Sequence, residues 1–273
     1  MPLIVFWGNE LDLKKGGSSL KILTVGDVVG SEAVRYLESC LRDFKRKNQI
    51  DLTVVNGENS AERNGIDQDA AEALLDAGAD VITTGNHVYR IPAVYQYLDD
   101  SGYIVRPANF PGDSPGRGYT VVDMGAFRAL VVNVLGNIFM EASGDAFSAV
   151  EAVLKAEAGR YDISVLDIHA EATSEKAALA RYFDGRINVI FGTHTHVQTN
   201  DAQILPGGTG FITDAGMCGP RDSILGVISS RVIDKLRLHL PARFEYAKGG
   251  VSAEGAIFTV ENGRTVSAEA VKF

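Results

Sequence analysis

Seven residues of metal-ligating type stand out because each follows a short apolar run: Asp27, Glu58, Asn59, Asn86, His169, His194 and His196. Asp and Glu offer anionic oxygens, Asn a neutral oxygen and His an imidazole nitrogen. A mixed nitrogen and oxygen set without thiolate suits Mn, Fe, Zn or a similar divalent ion. Seven donors exceed what one tetrahedral ion takes and suit two ions sharing a bridging carboxylate. Two ions about 3.5–4 Å apart clamp the attacking and leaving oxygens of an in-line phosphoryl displacement. Two carboxylates against two divalent cations leave a charge of about +2 to receive an anionic ester.

The elements that must position these residues alternate along the chain. Lys21–Val25 reads as a strand ending in Gly26-Asp27-Val28-Val29-Gly30. Val34, Leu37, Leu41 and Phe44 then fall on one face of a helix. Leu52–Val55 is a second strand, leading to Glu58 and Asn59. Asp67 is placed as an N-cap, Ala70, Leu74 and Ala77 follow at helical spacing, and Gly78 sits where a helix ends. Val81–Thr84 is a third strand, leading to Asn86 and His87. Tyr119–Val134 reads as a hairpin turning at Met124-Gly125-Ala126. A helix near 147–158 precedes the strand Ile163–Ile168 and His169, and a helix near 174–183 precedes the strand Ile187–Phe191 and the pair His194 and His196. The C-terminal third reads as strands at 211–213, 227–233, 244–247 and 255–260.

This alternation predicts an α/β fold built from βαβ units with largely parallel pairing. In open α/β sheets ligands bind beyond the carboxyl ends of the strands. The seven donors are thus expected to converge on one sheet edge.

Taken singly, each motif has an ordinary structural explanation. Gly26–Gly30 is a serviceable strand-to-helix turn, Asn56-Gly57-Glu58-Asn59 is a good turn sequence, and His169 alone would pass for a structural histidine. Gly192-Thr193-His194-Thr195-His196 is the strongest single motif, since two His at i and i+2 point the same way in an extended chain. The joint pattern is the informative one. His239 lacks such a context, Cys40 is assigned to the core, and Cys218 between glycines is assigned to a loop without an adjacent base.

Composition narrows the remaining classes. The chain has 273 residues, 45% apolar and 22% charged, which excludes general disorder. No apolar run approaches the roughly 20 residues of a membrane-spanning helix. Two cysteines cannot form a disulfide framework, so a reduced, cytoplasmic setting is expected. A net charge of −9 argues against a duplex nucleic-acid groove and leaves room for a small phosphate ester. Residues 1–19, ending in Gly-Gly-Ser-Ser, read as a leader or linker outside the fold, and 20–273 as a single domain.

The motifs also carry a family resemblance. Gly85-Asn86-His87 and Gly192–His196 resemble two signature blocks of the calcineurin-like metallophosphoesterases. Gly26–Gly30, Asn56–Asn59, Thr84–Val88, Arg106–Asn109, Asp167–Lys176, Gly192–Thr199 and Thr213–Met217 resemble, in order, the blocks of the bacterial YmdB-type phosphodiesterases. The resemblance implies a β-sandwich of mixed sheets flanked by helices, four layers in the order α/β/β/α. It implies that Asp27, Asn59 and His196 hold one ion, that Asn86, His169 and His194 hold the other, and that Glu58 bridges them. Two ions per chain are expected, Fe or Mn first, Zn or Mg next.

His87 is implied to protonate the leaving alkoxide while a hydroxide shared by the ions attacks. Val29 stands where the wider family has a histidine, with Asn59 as its expected replacement. Val88 stands where the wider family has Asp, so His87 needs another orienting partner. Arg63 and Arg221, in Gly-containing loops, are candidate substrate contacts. The implied activity is hydrolysis of small phosphodiesters, cyclic nucleotides foremost (2′,3′-cyclic, then 3′,5′-cyclic). The competing readings are a broad phosphomonoesterase and a metal-bound regulatory scaffold in RNA turnover. A homo-oligomer is compatible with either.

Overall fold

The computed structural model describes residues 19–273. The expectation of a leader at 1–19 therefore falls, except for Ser19, outside the described residues. The strands are β1 (Leu20–Val25), β2 (Asp27–Val28), β3 (Leu52–Asn56), β4 (Val81–Thr83), β5 (Ile104–Val105), β6 (Tyr119–Asp123), β7 (Arg128–Leu135), β8 (Ile163–His169), β9 (Val189–Thr193), β10 (Gln203–Ile204), β11 (Gly210–Ile212), β12 (Met217–Pro220), β13 (Val251–Glu261) and β14 (Arg264–Lys272). The helices are α1 (Gly30–Asn48), α2 (Gln68–Ala77), α3 (Tyr95–Asp100), α4 (Ala146–Ala156), α5 (Thr173–Tyr182) and α6 (Ser229–Leu238).

One sheet has the order β2-β12-β13-β1-β3-β4-β5, with β14 also paired to β13; the other has the order β10-β11-β9-β8-β7-β6. Each has a parallel centre, β1-β3-β4-β5 in the first and β7-β8-β9-β11 in the second. Antiparallel strands join at the flanks: β13 pairs β1, β6 pairs β7 in the expected hairpin, and β10 pairs β11. The sheets are thus mixed, as the family resemblance implied, and less parallel than alternation alone suggested.

Strand alternation sorts the apolar residues into three cores. Ile22, Val54, Val131, Val165 and Val189 pack between the two sheets. Their chain neighbours Leu23 and Val55 turn outward to Val34, Leu37 and Leu41 of α1 and Leu74 of α2. Leu130, Leu166 and Ile190 turn outward on the other side, to Val150 of α4 and Leu179 of α5. Three cores between four layers give the α/β/β/α sandwich. The side chain of Asp67 caps α2 by accepting from Ala70 N at 2.9 Å, and Gly78 ends it at φ 114°, as the sequence indicated.

Several expectations fail locally. Residues 227–233 are not a strand: Ser229 opens α6, none of whose residues is buried. The β-branched Val232 and Ile233 suggested extension, but with Leu236 they keep helical spacing. Residues 244–247 contribute only an isolated bridge from Tyr246 to Val227. Cys218 lies in β12, fully buried, rather than in a loop, and Cys40 is only partly buried on α1. No described helix is long and apolar enough to cross a membrane.

Leu37 is fully buried between α1 and the sheet. Leu37→Ala should lower the unfolding free energy by about 2–5 kcal/mol, the transfer and cavity cost of a buried leucine. Urea denaturation checks this, and a loss of under about 1 kcal/mol would show that the α1 core collapses around the vacancy.

Candidate active site

The two sheets deliver their parallel strands to a common edge. From the first sheet come Asp27 beyond β1, Glu58 and Asn59 beyond β3, and Asn86 and His87 beyond β4. From the second come His169 at the end of β8, and His194 and His196 beyond β9. Asp27, Glu58, Asn59 and His169 are buried; Asn86, His87, His194 and His196 are partly exposed at the rim.

Two groups form around Glu58. His169 Nε2 lies 3.1 Å from each of Glu58 Oε2, Asn86 Oδ1 and His194 Nδ1. On the other side His196 Nε2 lies 3.3 Å from Asn59 Nδ2 and 3.7 Å from Asp27 Oδ1. Asn59 Nδ2 donates to Glu58 Oε1 at 3.0 Å, so the two carboxylate oxygens face the two groups. Asn59 presents its NH2 rather than its oxygen to this group, and a rotation of its amide is needed before it can hold a cation.

His194 and His196 do not point the same way. Their backbones are not extended: φ is 98° at His194 and 61° at His196. The turn sends His194 to His169 and His196 to Asp27. Left-handed backbone in non-glycine residues persists only where neighbours fix it. Here Asp27 Oδ2 accepts from His194 N at 2.9 Å, and Asp214 Oδ2 accepts from Thr195 N at 3.2 Å and Thr195 Oγ1 at 2.8 Å. His196 Nδ1 donates to Leu225 O at 3.0 Å, which leaves Nε2 facing the site.

His87 finds the orienting partner that Val88 cannot supply. Its Nδ1 lies 2.9 Å from Asn59 Oδ1 and 3.1 Å from Glu58 Oε1, both acceptors, so Nδ1 carries a proton. Arg63 and Arg221 are both exposed. Arg63 sits in the loop between β3 and α2, while Arg221 donates Nε to Gly250 O at 2.9 Å and lines a cavity with His196 and Met217.

The buried carboxylates and imidazoles perturb one another strongly. Burial pushes the Asp27 carboxyl up. Burial acts the same way on Glu58, but the charges of His169 and His87 outweigh it and hold Glu58 well below its ordinary value. His169 resists its own burial and is pushed up to about 9 by Glu58, Asp27 and Asp167. His194 is pulled down to about 3 by burial and by the charge on His169. Glu58, His169 and His194 bring ligand atoms within 4.8 Å of one another.

Asp27 Oδ1 is buried and has no hydrogen-bond partner. Such an orphaned acceptor is costly unless something positive faces it. A Cβ on Gly85 would collide with Glu58 Oε2 and His169 Nε2, so glycine is what lets these two side chains meet against the backbone here. Converging lone pairs, an orphaned carboxylate oxygen and no thiolate together fit hard or borderline divalent ions.

Sequence reasoning passed over the groups that hold the His194–His196 turn. Lys176 is fully buried and pairs with Asp214 at 2.7 Å. Both lie in the blocks Asp167–Lys176 and Thr213–Met217 that the family resemblance picked out, which was the available signal, though they stand 38 residues apart. Removing one member of a buried ion pair leaves the other uncompensated, a cost of about 3–5 kcal/mol. Lys176→Met should lose that much in urea denaturation, and an unchanged midpoint would show that Asp214 is neutral or solvated.

Proteins of known sequence and structure resemble this chain over most of its length. A family model described as "YmdB-like protein" matches residues 23–271. A 2′,3′-cyclic-nucleotide 2′-phosphodiesterase of Bacillus subtilis (strain 168) is 40% identical over 243 residues, covering 89% of this chain and 92% of the relative. A hypothetical protein from Thermus thermophilus superposes with a TM-score of 0.87 at 37% identity, over 93% of this chain and 99% of that one. A structure described as a novel phosphatase, from Mycoplasma pneumoniae, gives a TM-score of 0.87 at 31% identity, over 94% of each chain. The motif order, the sandwich and these matches agree: the chain belongs to the YmdB-like family.

Proposed function

We propose that this protein is a metal-dependent phosphoric diester hydrolase whose substrates are small phosphodiesters, cyclic nucleotides foremost. The observation that carries the reading is the pair of donor groups on either side of Glu58, each completed by a histidine from the same turn. In this reading Asp27, Asn59 and His196 hold one ion, and Asn86, His169 and His194 hold the other, with Glu58 between them. Fe or Mn suits the nitrogen and oxygen donors first, with Zn or Mg next. Divalent ions there supply Lewis-acid charge to phosphate oxygens and make water a competent nucleophile near neutral pH.

The chain's own residues supply the rest. His87 is the general acid: once Asn59 turns its oxygen to the ion, Glu58 Oε1, 3.1 Å away, still holds the His87 Nδ1–H, so Nε2 is the atom that passes a proton to the leaving alkoxide. Imidazole is the side chain suited by its chemistry to exchange protons near neutral pH. Arg221, on the cavity that His196 lines, is the better placed of the two arginines to meet a substrate. Residues 20–273 act as one domain here, because the site takes side chains from both sheets. The 2′,3′-cyclic-nucleotide phosphodiesterase named among the relatives supports a cyclic diester substrate. The structure described as a phosphatase favours the second reading, a broad phosphomonoesterase.

Turnover of bis-p-nitrophenyl phosphate and p-nitrophenyl phosphate at one pH and one metal separates these readings. The diester should give the higher kcat/KM, and a reversed order would favour the phosphomonoesterase. His87→Ala should retain metal and fold while slowing cyclic-nucleotide hydrolysis by about 10²–10⁴-fold, the worth of a positioned acid. The loss should fall on kcat more than on KM and shrink with a p-nitrophenolate leaving group. Unchanged turnover of the cyclic nucleotide would remove the acid role and favour a scaffold, whereas loss of metal would make His87 a ligand.

A further inference from the structure

Behind His169 lies a buried polar group that the reading above leaves unused. Asp167 precedes His169 by two residues on β8, so both side chains leave the same face of the strand. It is fully buried. Its Oδ2 accepts from Thr83 Oγ1 at 2.5 Å and from Asn56 Nδ2 at 2.8 Å, and its Oδ1 accepts from Thr193 Oγ1 at 2.7 Å. The β8–β9 register places Thr193 opposite His169, with Oγ1 2.9 Å from His169 Nδ1.

A threonine hydroxyl has one proton to give, and an ionised carboxylate can only accept. Thr193 donates that proton to Asp167 and therefore meets His169 with a lone pair. Asn56 spends its two N–H hydrogens on Asp167 Oδ2 at 2.8 Å and Thr84 O at 3.1 Å, which holds the carboxylate that Thr193 donates to. The Asn56 amide is fixed in this orientation because its Oδ1 accepts from Glu58 N at 3.1 Å. Asn56 Nδ2 also lies 3.5 Å from His169 Nδ1, but both its hydrogens have nearer acceptors, so the hydrogen between Thr193 Oγ1 and the ring belongs to His169 Nδ1.

We propose that Asp167, Thr193 and Asn56 are positioning residues that lock His169 with its proton on Nδ1, so that the Nε2 lone pair is delivered to the metal centre. Nε2 is the atom that faces Glu58 Oε2, Asn86 Oδ1 and His194 Nδ1. Which ring nitrogen binds metal is set by the hydrogen bond the other nitrogen makes, and such outer partners are worth about 10–100-fold in metal affinity. The inference rests on the reading that His169 holds an ion, and it extends the site by three residues that never touch that ion.

Nitrogen-15 NMR of the histidine-labelled, zinc-loaded protein reads the tautomer directly, with His169→Gln to assign the signal. His169 should carry its proton on Nδ1 and bind zinc through Nε2; a proton on Nε2 overturns the proposal. Thr193→Val keeps the shape and removes the hydroxyl, so calorimetric titration with zinc should show one site weakened about 10–100-fold. Thr193→Ser should stay near wild type. A folded Thr193→Val protein with wild-type affinity at both sites also overturns the proposal. Should Thr193→Val fail to fold by circular dichroism, the wild-type tautomer and the Thr193→Ser titration decide. A wild-type chain that binds no zinc contradicts the metal reading itself, and this inference with it.

Discussion

Buried negative charge at the shared edge of two sheets is the constraint around which the rest of the molecule is organised. Asp27, Glu58 and Asp167 bring three carboxylates into a seam where all are essentially inaccessible to water. Charge so placed must be paired, hydrogen-bonded or matched by a cation. Asp167 is met by three donors, from Thr83, Asn56 and Thr193. Glu58 is met by imidazoles and Asp27 Oδ2 by the His194 backbone N–H, while Asp27 Oδ1 has no hydrogen-bond partner, the His196 ring lying 3.7 Å away. Asp167, behind His169, is satisfied internally, whereas Asp27 keeps an unpartnered oxygen.

The four-layer architecture follows from the same requirement. A single sheet offers one row of strand ends; two face-to-face sheets offer two, and their side chains meet across the gap. The apolar core between the sheets fixes that gap through Val54, Val131, Val165 and Val189, one or two strand turns below the donors. Close approach is then enforced locally, by Gly85 against Glu58 and His169 and by Gly192 against the Thr213 backbone. The Lys176–Asp214 pair anchors the His194–His196 turn from behind, so the strained backbone of that turn is held on both sides.

The convergence of the seven residues was legible in the sequence because each stands where an apolar run stops, and strand ends in α/β sheets share an edge. The partition of donors was not legible from spacing: an extended chain would send His194 and His196 together, and only positive φ at both residues sends them apart. The orientation of His87 was hidden for a related reason, since Asn59 comes from another strand and is close only in the folded protein. Asp167 and Thr193 sit inside strands that read as ordinary buried β-structure, and their pairing depends on the β8–β9 register. Residues 227–233 misled because β-branched residues favour strands, while the local 3–4 spacing of Val232, Ile233 and Leu236 belongs to the helix Ser229–Leu238.

On the proposed reading the seam holds two ions close enough to share Glu58. Electron paramagnetic resonance of the protein reconstituted with Mn, with metal content counted on the same sample, tests it most directly. The account predicts two Mn per chain and the broadened spectrum of a magnetically coupled pair. One Mn per chain, or two that give the spectrum of isolated, uncoupled ions, would contradict it.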